Sequence, residues 1–586
     1  MRKLKLAASS GCTLLILALL SGCGGTRSLE AGEPAVAGNP AVAAAIRVAS
    51  RGDQRSLYAY SRSVWAETQG DLEAAMRWGR EAVKYDQGSL HLRTHLAFLY
   101  LKRGDFRGAL QEGEEILALD PSNIQAHLLM AGAYQGLRNL KGAEQHYREV
   151  IRLDPRRGEA YLFLGNLYAE TKRLPEAIQA FESLAKVSPN SHLARYSLGR
   201  IYIELREPEK ARQEFQAAIE RNDEFDPAWV GLATSYELQG RQDEVIQVYQ
   251  KALARDPTSR EFQERLAQAF IRRGDLDSAL QTYEQLRKSD PDNLLVLTRI
   301  GQILAEQQQS EKALAIFREV LAKEPANGEA RFALGLTLED LKRYEEALEA
   351  LAAITPQDGR YVDALLHRGY VLSQLGRIDD ATLLFAEAAR LRPQEGNVPY
   401  LLGVAYMQKK DYGNAVIQLE KAVALDAENA QYYYQLGAAL ERSRKLDRAE
   451  AAFRRVLSLD PKHADAYNYL GYMFAEEGIK LEESVTLLKK ALDLEPENPA
   501  FLDSLGWAYF RLGRVDEALA ELLRAVKFSR REDSTIREHL GDVYAKKGLL
   551  QDALREWEHA LTLDTTNVTL KQKLDDARTR TSRDSK

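Results

Sequence analysis

Residues 158–189 read GEAYLFLGNLYAETKRLPEAIQAFESLAKVSP. In this stretch the small residue Gly165 is followed by Tyr168 three positions later and by Ala177 twelve positions later, and Pro189 closes it. Small residues at two fixed positions let two helices approach until only a hydrogen atom or a methyl group fits between them. Proline after the second helix ends it, because proline cannot continue the hydrogen-bond ladder. The stretch therefore predicts a pair of closely packed antiparallel helices.

The same pattern recurs with a period of 34 residues along the chain, with two final steps of 35. The second small position, about twelve residues after the first, runs from Ala75 to Ala553. A bundle formed by coincidence would not hold phase over fifteen periods, so we predict a stack of fifteen helix pairs. The first small position is filled by Ser63, Ala97, Ala131, Gly165, Gly199, Ala233, Ala267, Gly301, Gly335, Gly369, Gly403, Gly437, Gly471, Gly506 and Gly541.

These residues resemble the tetratricopeptide repeat, which carries small residues at two fixed positions and a proline near its end. The resemblance implies an all-α fold: an α-solenoid, a right-handed superhelix of about 15 helix-turn-helix repeats over residues 56–567. A C-terminal capping helix and tail are expected in residues 568–586. Because repeats contact mainly their neighbours, stability should be roughly a sum of repeat and interface terms.

Residues 1–22 have the features of a secretory signal peptide. Arg2, Lys3 and Lys5 give a positive start, and an apolar run too short to span a bilayer follows. The run ends in LSGC, which resembles the bacterial lipobox. This resemblance implies cleavage before Cys23 and lipidation of its thiol, with acyl chains such as palmitate. The alternative is an ordinary secretory signal in which Cys23 is accidental.

Residues 23–55 are predicted to be a lipidated tether, rich in Gly, Ala and Pro at first, with a partial helix near its end. Several acyl chains on Cys23 would anchor the chain firmly, whereas a single chain holds only reversibly. By resemblance to Gram-negative lipoproteins, Gly24 rather than aspartate at that position favours sorting to the outer membrane. The expected location is the outer membrane, lipid-anchored and facing the periplasm.

The composition of the 586 residues excludes several classes of function. The chain has 80 Lys and Arg against 86 Asp and Glu, a near balance that argues against a general nucleic-acid binder. Two cysteines supply neither a disulfide framework nor a cysteine metal cluster. No glycine-rich loop has phosphate-binding spacing, and no serine lies in a nucleophile elbow. We therefore expect no catalysis and no cofactor apart from the covalent lipid on Cys23.

Two histidines could still bind a metal ion. His91 and His95 stand four residues apart on a predicted helix, which places both on one face, as zinc ligands can be. No glutamate lies between them in the metalloprotease arrangement, and no cysteine can complete a site. We expect no metal site, although the sequence does not decide whether this pair binds metal.

A candidate binding surface follows from the resemblance. In tetratricopeptide repeats the first helix of each pair, helix A, lines a concave groove, and four of its positions point into that groove. An aromatic groove favours an extended or helical peptide held by apolar anchors. The alternative is that these rings only complete the packing between repeats. In the last six repeats the large side chains at these positions are Tyr370, Tyr400, Met407, Tyr434, Tyr472, Trp507 and Phe510.

Residues 467–525, with NYLGY at 468–472 and LDSLGW at 502–507, are less degenerate than the rest. They resemble the C-terminal repeats of large envelope lipoproteins of Gram-negative bacteria. Among these is the lipoprotein adaptor of a periplasmic carboxy-terminal processing protease, which helps that protease degrade cell-wall hydrolases.

The resemblance implies a non-catalytic, membrane-anchored scaffold that recruits such a protease and its substrates. The alternative is an assembly factor, similar to a pilotin, for a secretin, a pilus or an exopolysaccharide export complex. The identity of the partner, the orientation of a bound peptide and the oligomeric state, including self-association, are not decided by the sequence.

Overall fold

The computed structural model describes residues 54–584, with side chains as far as Arg578. Within that span every regular element is an α-helix, and none is long and apolar enough to cross a membrane. The chain divides into two compact units, Met1–Ser289 and Asp290–Lys586. Cys23, the predicted signal peptide and nearly all of the predicted tether lie outside the described residues.

The first unit contains fourteen described helices, and the odd-numbered ones are the A helices. They are α1 (Gln54–Thr68), α2 (Leu72–Tyr85), α3 (Leu90–Arg103), α4 (Phe106–Leu119), α5 (Ile124–Gly136), α6 (Leu140–Leu153), α7 (Gly158–Glu170), α8 (Leu174–Val187), α9 (His192–Glu204), α10 (Pro208–Arg221), α11 (Asp226–Glu237), α12 (Gln242–Arg255), α13 (Arg260–Arg273) and α14 (Leu276–Ser289).

The second unit contains seventeen described helices in the same alternation. They are α15 (Leu294–Glu306), α16 (Ser310–Lys323), α17 (Gly328–Asp340), α18 (Tyr344–Ala352), α19 (Tyr361–Gln374), α20 (Ile378–Leu391), α21 (Asn397–Gln408), α22 (Tyr412–Leu425), α23 (Ala430–Arg442), α24 (Leu446–Leu459), α25 (Ala464–Glu477), α26 (Leu481–Leu494), α27 (Pro499–Arg511), α28 (Val515–Phe528), α29 (Ser534–Lys546), α30 (Leu550–Leu563) and α31 (Val568–Asp584).

Helices within each unit pack mainly against the helix before and the helix after them in sequence, and an A helix also contacts the next A helix. The small residues lie where the helices of a pair cross. A Cβ built on Gly165 would lie 2.5 Å from Cε1 of Phe181, and one on Gly403 would lie 2.7 Å from Cγ of Leu419. These separations are far below carbon–carbon contact, so only glycine fits. The structure confirms the predicted all-α solenoid of helix-turn-helix repeats.

The turn from each helix A to its helix B places at least one residue in the left-handed region, again at the repeat period. Glycine adopts this conformation without steric cost, as at Gly70 and Gly104, where φ is 78° and 85°. A side chain there costs about 1–2 kcal/mol. Packing of the helix pair on both sides must offset that cost. Seven turns nevertheless use a Lys, Arg or Gln alone, and the turn between α25 and α26 uses Lys480 in addition to Gly478; the seven are Arg138, Lys172, Arg206, Gln308, Lys342, Lys410 and Arg444.

The last helix, α31, covers the apolar face of α30. Leu570 and Leu574 are buried in one cluster with Trp557 of α30. Lys573 of α31 lies 2.8 Å from Oε1 of Glu538 and 2.7 Å from Oδ2 of Asp542. An apolar contact and a charged rim therefore close the end of the second unit.

Candidate functional site

A groove with a volume of about 980 Å³ lies in the second unit. Three consecutive A helices, α23, α25 and α27, form it together with the loop between α28 and α29 and the start of α29. We call it the C-terminal groove. It is lined by Glu441, Arg442, Arg444, Asn468, Tyr469, Tyr472, Met473, Glu476, Glu477, Pro499, Ala500, Asp503, Ser504, Ser529, Arg530, Arg531, Asp533, Thr535 and Ile536.

Two half-buried tyrosines give the C-terminal groove its aromatic lining. Burial, followed by the charge of Glu441, raises the pKa of Tyr469 to about 12. Burial, followed by the charges of Glu476 and Asp503, raises the pKa of Tyr472 to about 12. Both phenols are therefore protonated at neutral pH and act as hydrogen-bond donors. The Tyr469 hydroxyl donates to Oε2 of Glu441 at 3.3 Å, whereas no hydrogen bond from Tyr472 is seen within the described residues.

The carboxylates of the groove are already engaged within the chain. Glu441 accepts the bond from Tyr469 and lies 3.5 Å from Nε of Arg442. Glu477 forms an ion pair with Arg444. Asp533 is the N-cap of α29, where its Oδ1 accepts a backbone N–H bond of 2.7 Å. Each of these side chains is thus held by a partner of its own.

Glu476 and Asp503 are held by groups behind the groove. Oε2 of Glu476 accepts the indole N–H of Trp507 at 2.9 Å. Oδ1 and Oδ2 of Asp503 lie 2.9 and 3.1 Å from Nδ1 of His539. The ring of His539 stacks on Trp507 with centroids 4.2 Å apart.

His539 is buried beside three carboxylates. Burial alone would lower its pKa, but the charge and hydrogen bond of Asp503, with the charges of Asp542 and Glu538, raise the pKa above its ordinary value. The neighbouring carboxylates therefore favour the charged imidazole more than in a free histidine, and a charged ring balances the charge of Asp503. Asp503 and His539 are both buried, with Trp507 stacked on the imidazole, so the ion pair is shielded from solvent.

Arginines supply the remaining charge of the groove. Arg530 and Arg531 are exposed in the loop between α28 and α29. Among the described residues, no carboxylate forms an ion pair with either of them and no hydrogen bond involves their side chains. The groove thus offers two guanidinium groups that the fold does not use, each with five donors in a rigid fork.

The structure divides the sequence-predicted groove residues into separate groups. Tyr472 lines the C-terminal groove. Trp507 and Phe510 stack on each other, with centroids 5.1 Å apart, and pack against the buried cluster that includes Tyr509 and Leu540. Trp507 and Phe510 are thus half-buried next to the C-terminal groove without being part of its lining, and their role in partner binding stays a prediction.

Three further predicted residues lie together on another cluster. Tyr400, Met407 and Tyr434 all pack against the apolar core that surrounds Phe453. Tyr434 also stacks on His463, with centroids 5.1 Å apart, which is the inter-repeat packing that the sequence left open as an alternative. Tyr370 is 45% exposed on α19.

The pattern of aromatic residues on the A helices did not predict most of the residues that line the C-terminal groove. Arg530 and Arg531 come from a loop, and Tyr469 lies one position away from those assigned to the groove surface. One available signal was the 35-residue step to Gly541. That extra residue lengthens the connection between α28 and α29 to five residues, against four between α26 and α27.

The histidine pair singled out in the sequence makes separate contacts. Nε2 of His91 bonds to the hydroxyl of Tyr60 at 2.9 Å, and Nε2 of His95 bonds to the hydroxyl of Ser63 at 3.0 Å. Burial, the charge of His91 and that of Lys102 lower the pKa of His95 to about 4. In the part of the chain that the structure describes, no group of three or more His, Cys, Asp or Glu side chains is arranged to hold a metal ion.

Comparison with known proteins gives one family. A sequence model described as the tetratricopeptide repeat matches residues 128–192, 196–260, 298–362, 434–499 and 480–532, which together make up half of the chain. A second tetratricopeptide-repeat model matches residues 66–132 and 238–298, and a TPR-repeat model matches residues 403–443. A search of curated proteins gave no match.

The solved structures that match resemble the chain only distantly. The hetero-tetramer Cut9–Hcn1 of the APC/C is 16% identical, with a TM-score of 0.33 over 80% of this chain and 98% of that one. Naa15/Naa10 bound to HypK-THB is 16% identical, with a TM-score of 0.31 over 85% and 97%. MamA is 26% identical, with a TM-score of 0.27 over 29% and 93%. Because these scores are low, the family rests on the sequence matches and the helix pairs: the chain belongs to the tetratricopeptide-repeat family.

Proposed function

We propose that this chain is a membrane-anchored, non-catalytic adaptor that holds a partner protein by a peptide segment in the C-terminal groove. Tetratricopeptide repeats form protein–protein interaction scaffolds, and the groove is the observation that supports the choice of site. Its volume of about 980 Å³ lies at the top of the range for small-molecule pockets, and it is open along three A helices. An extended peptide of several residues suits such a surface.

The anchor and the partner are further parts of the proposal. The lipobox-like residues 20–23 support lipidation of Cys23 and an outer-membrane location facing the periplasm. The resemblance of residues 467–525 to envelope lipoproteins supports a carboxy-terminal processing protease, with its cell-wall hydrolase substrates, as the recruited partners. A lipid anchor confines the scaffold to a surface, so a partner held in its groove meets other membrane-bound molecules at raised effective concentration.

Cross-linking of the full chain in native envelopes, followed by mass spectrometry, tests this proposal. The informative variant is Tyr472→Ala, because Tyr472 lines the groove. The matched control is Tyr433→Ala, a similarly half-buried tyrosine of α23 that is not part of the groove lining. We expect the wild type and the control to recover a periplasmic protease or a cell-wall hydrolase, and Tyr472→Ala to lose it at equal thermal stability.

Other results would change the proposal in defined ways. Recovery of a secretin or an export barrel would replace the adaptor by the assembly factor. Recovery that is the same for Tyr472→Ala and Tyr433→Ala would show that the partner binds elsewhere on the solenoid. Turnover by the purified chain alone would contradict a non-catalytic scaffold.

A further inference from the structure

We infer that the C-terminal groove selects an acidic peptide segment, whose carboxylates pair with Arg530 and Arg531 while its backbone lies along Tyr472. This inference rests on the proposed function, since it names the chemistry of the partner that the groove would hold. It concerns the charge of the peptide that the groove prefers, which neither the repeat pattern nor the family matches address.

The first reason is that the carboxylates of the groove have partners within the chain, whereas two of its arginines have none among the described residues. The groove lining contains five carboxylates, and each has a partner within the chain. A basic peptide would have to displace partners such as the Trp507 indole or the buried His539. An acidic peptide would displace nothing at Arg530 and Arg531, because in the described residues neither guanidinium has a partner to lose.

The second reason is the state of Asp503, the one carboxylate of this lining that is largely buried. It would repel an acidic ligand if its charge were uncompensated. Nδ1 of His539 lies 2.9 Å from its Oδ1, and the surrounding carboxylates favour the charged imidazole. When the imidazole is charged this pair carries no net charge, so Asp503 does not by itself oppose an acidic ligand at the two loop arginines, which form no ion pair in the described chain.

The third reason is the arrangement of donors. Guanidinium groups bind carboxylates through two parallel hydrogen bonds, which adds direction to the charge attraction. Tyr472 contributes a protonated hydroxyl that can donate to a peptide carbonyl, since it forms no other hydrogen bond in the described chain. Met473, on the same helix, offers an apolar contact for a side chain between the acidic ones.

The test uses the full chain purified in detergent and three labelled dodecapeptides. In one, leucine or tyrosine alternates with glutamate; in the others, glutamine or lysine replaces every glutamate. Fluorescence anisotropy at low and at physiological salt gives each dissociation constant. We expect the glutamate peptide to bind about tenfold more tightly than the glutamine peptide, the lysine peptide to bind least, and the difference to shrink with salt.

Two double variants test whether the preference for the glutamate peptide comes from the loop between α28 and α29. Arg530→Ala with Arg531→Ala should bind the glutamate peptide about tenfold more weakly, reaching the affinity of the glutamine peptide. The matched control is Arg156→Ala with Arg157→Ala, which removes two adjacent arginines from another connection between a helix B and the next helix A. Because it makes the same change in net charge, the control should leave the preference intact.

Three results would overturn the inference: equal binding of the glutamate and glutamine peptides, tighter binding of the lysine peptide, or binding of none of the three. Loss of the preference in the control would trace it to net charge rather than to the groove. If the envelope partner is lost by Tyr472→Ala but kept by the Arg530/Arg531 variant, the acidic-segment inference fails while the proposed function stands. If Tyr472→Ala keeps the partner, the proposed site itself is wrong.

Discussion

Adding a single methyl group at a helix crossing tests the packing that defines every repeat. Gly301 of α15 faces Phe317 of α16, whose side chain is fully buried. A Cβ at residue 301 would lie 2.5 Å from Cε1 of Phe317 and 2.9 Å from its Cδ1 and Cζ. Carbon atoms pack at about 3.5–4.0 Å, so the ring must retreat by about 1 Å into a filled core.

The free energy of this change can be estimated from two opposing effects. Overpacking a well-packed core costs about 1–3 kcal/mol. Alanine in a helix interior gains about 0.5–1 kcal/mol over glycine. We therefore expect Gly301→Ala to lower the free energy of unfolding by about 1–2 kcal/mol. Because each repeat contacts mainly its neighbours, the loss should be local.

The matched control is Gly413→Ala in α22, where only Oδ1 of Asp411 comes within 4 Å of the added Cβ, at 3.8 Å. This variant should be neutral or more stable by up to about 1 kcal/mol. Urea denaturation gives the stability of each variant, and hydrogen exchange should show faster opening of α15 and α16 in Gly301→Ala alone. If Gly301→Ala were as stable as Gly413→Ala, with unchanged exchange, the crossing would not be the close contact that the fold requires.

The remaining predictions concern the lipid anchor at Cys23, the stacked ring of Trp507 and two histidines. Cys23→Ala should release the protein from the membrane fraction while circular dichroism shows an unchanged helical solenoid. Trp507→Ala should destabilise the C-terminal repeats by about 2 kcal/mol in denaturation, since it removes a half-buried ring stacked on His539. The pKa of His95 is about 4 in the folded chain and about 6.5 in the unfolded chain, so its contribution to the free energy of unfolding is complete above pH 6.5. About 3 kcal/mol of that free energy should be lost as the pH falls to 4. In an acid titration of stability, His95→Gln should remove this pH dependence. The pKa of His539 is raised in the folded chain, so its pair with Asp503 should stabilise the fold below pH 6.5. This contribution should be lost as the pH rises through the folded pKa of His539. Asp503→Asn should abolish that pH dependence of stability.

The fold could be predicted because its defining contacts recur. A glycine is placed opposite a phenylalanine sixteen residues later in one repeat after another, as at Gly165 with Phe181 and Gly301 with Phe317. A contact that repeats at a fixed spacing is visible in the sequence as a period. The helix pairs and the residues at their crossings therefore followed from the sequence.

The groove could be predicted only in part, because its members come from different repeats and from a loop. Asp503 and His539 lie 36 residues apart, and their contact depends on how one A helix is placed against the next. Periodicity identifies neighbouring repeats but gives no distance between individual side chains on them. For that reason the sequence predicts Tyr472 and Trp507 alike for the groove, whereas the stacking of Trp507 on His539 is visible only in the structure.

The ion pairs of the chain show which charges serve the fold and which remain for recognition. Turn residues pair with a glutamate of the next A helix in several repeats, and these pairs are Arg138–Glu170, Lys172–Glu204 and Arg444–Glu477. They recur because the repeat spacing brings the same two positions together. In the connection between α6 and α7, Arg157 is likewise used locally, at 3.1 Å from Glu159.

Arg530 and Arg531 differ from Arg157 in the length of their connection and in having no ion-pair partner in the described part of the chain. Their loop is one residue longer than the connection between α6 and α7, and within the described chain neither side chain has a partner. Arg530 and Arg531 are two adjacent, unpaired cations at the edge of a groove whose carboxylates all have partners within the described chain. A ligand that supplies carboxylates would pair with them, so the acidic-segment inference makes charge, together with the aromatic pattern, decide what this groove binds.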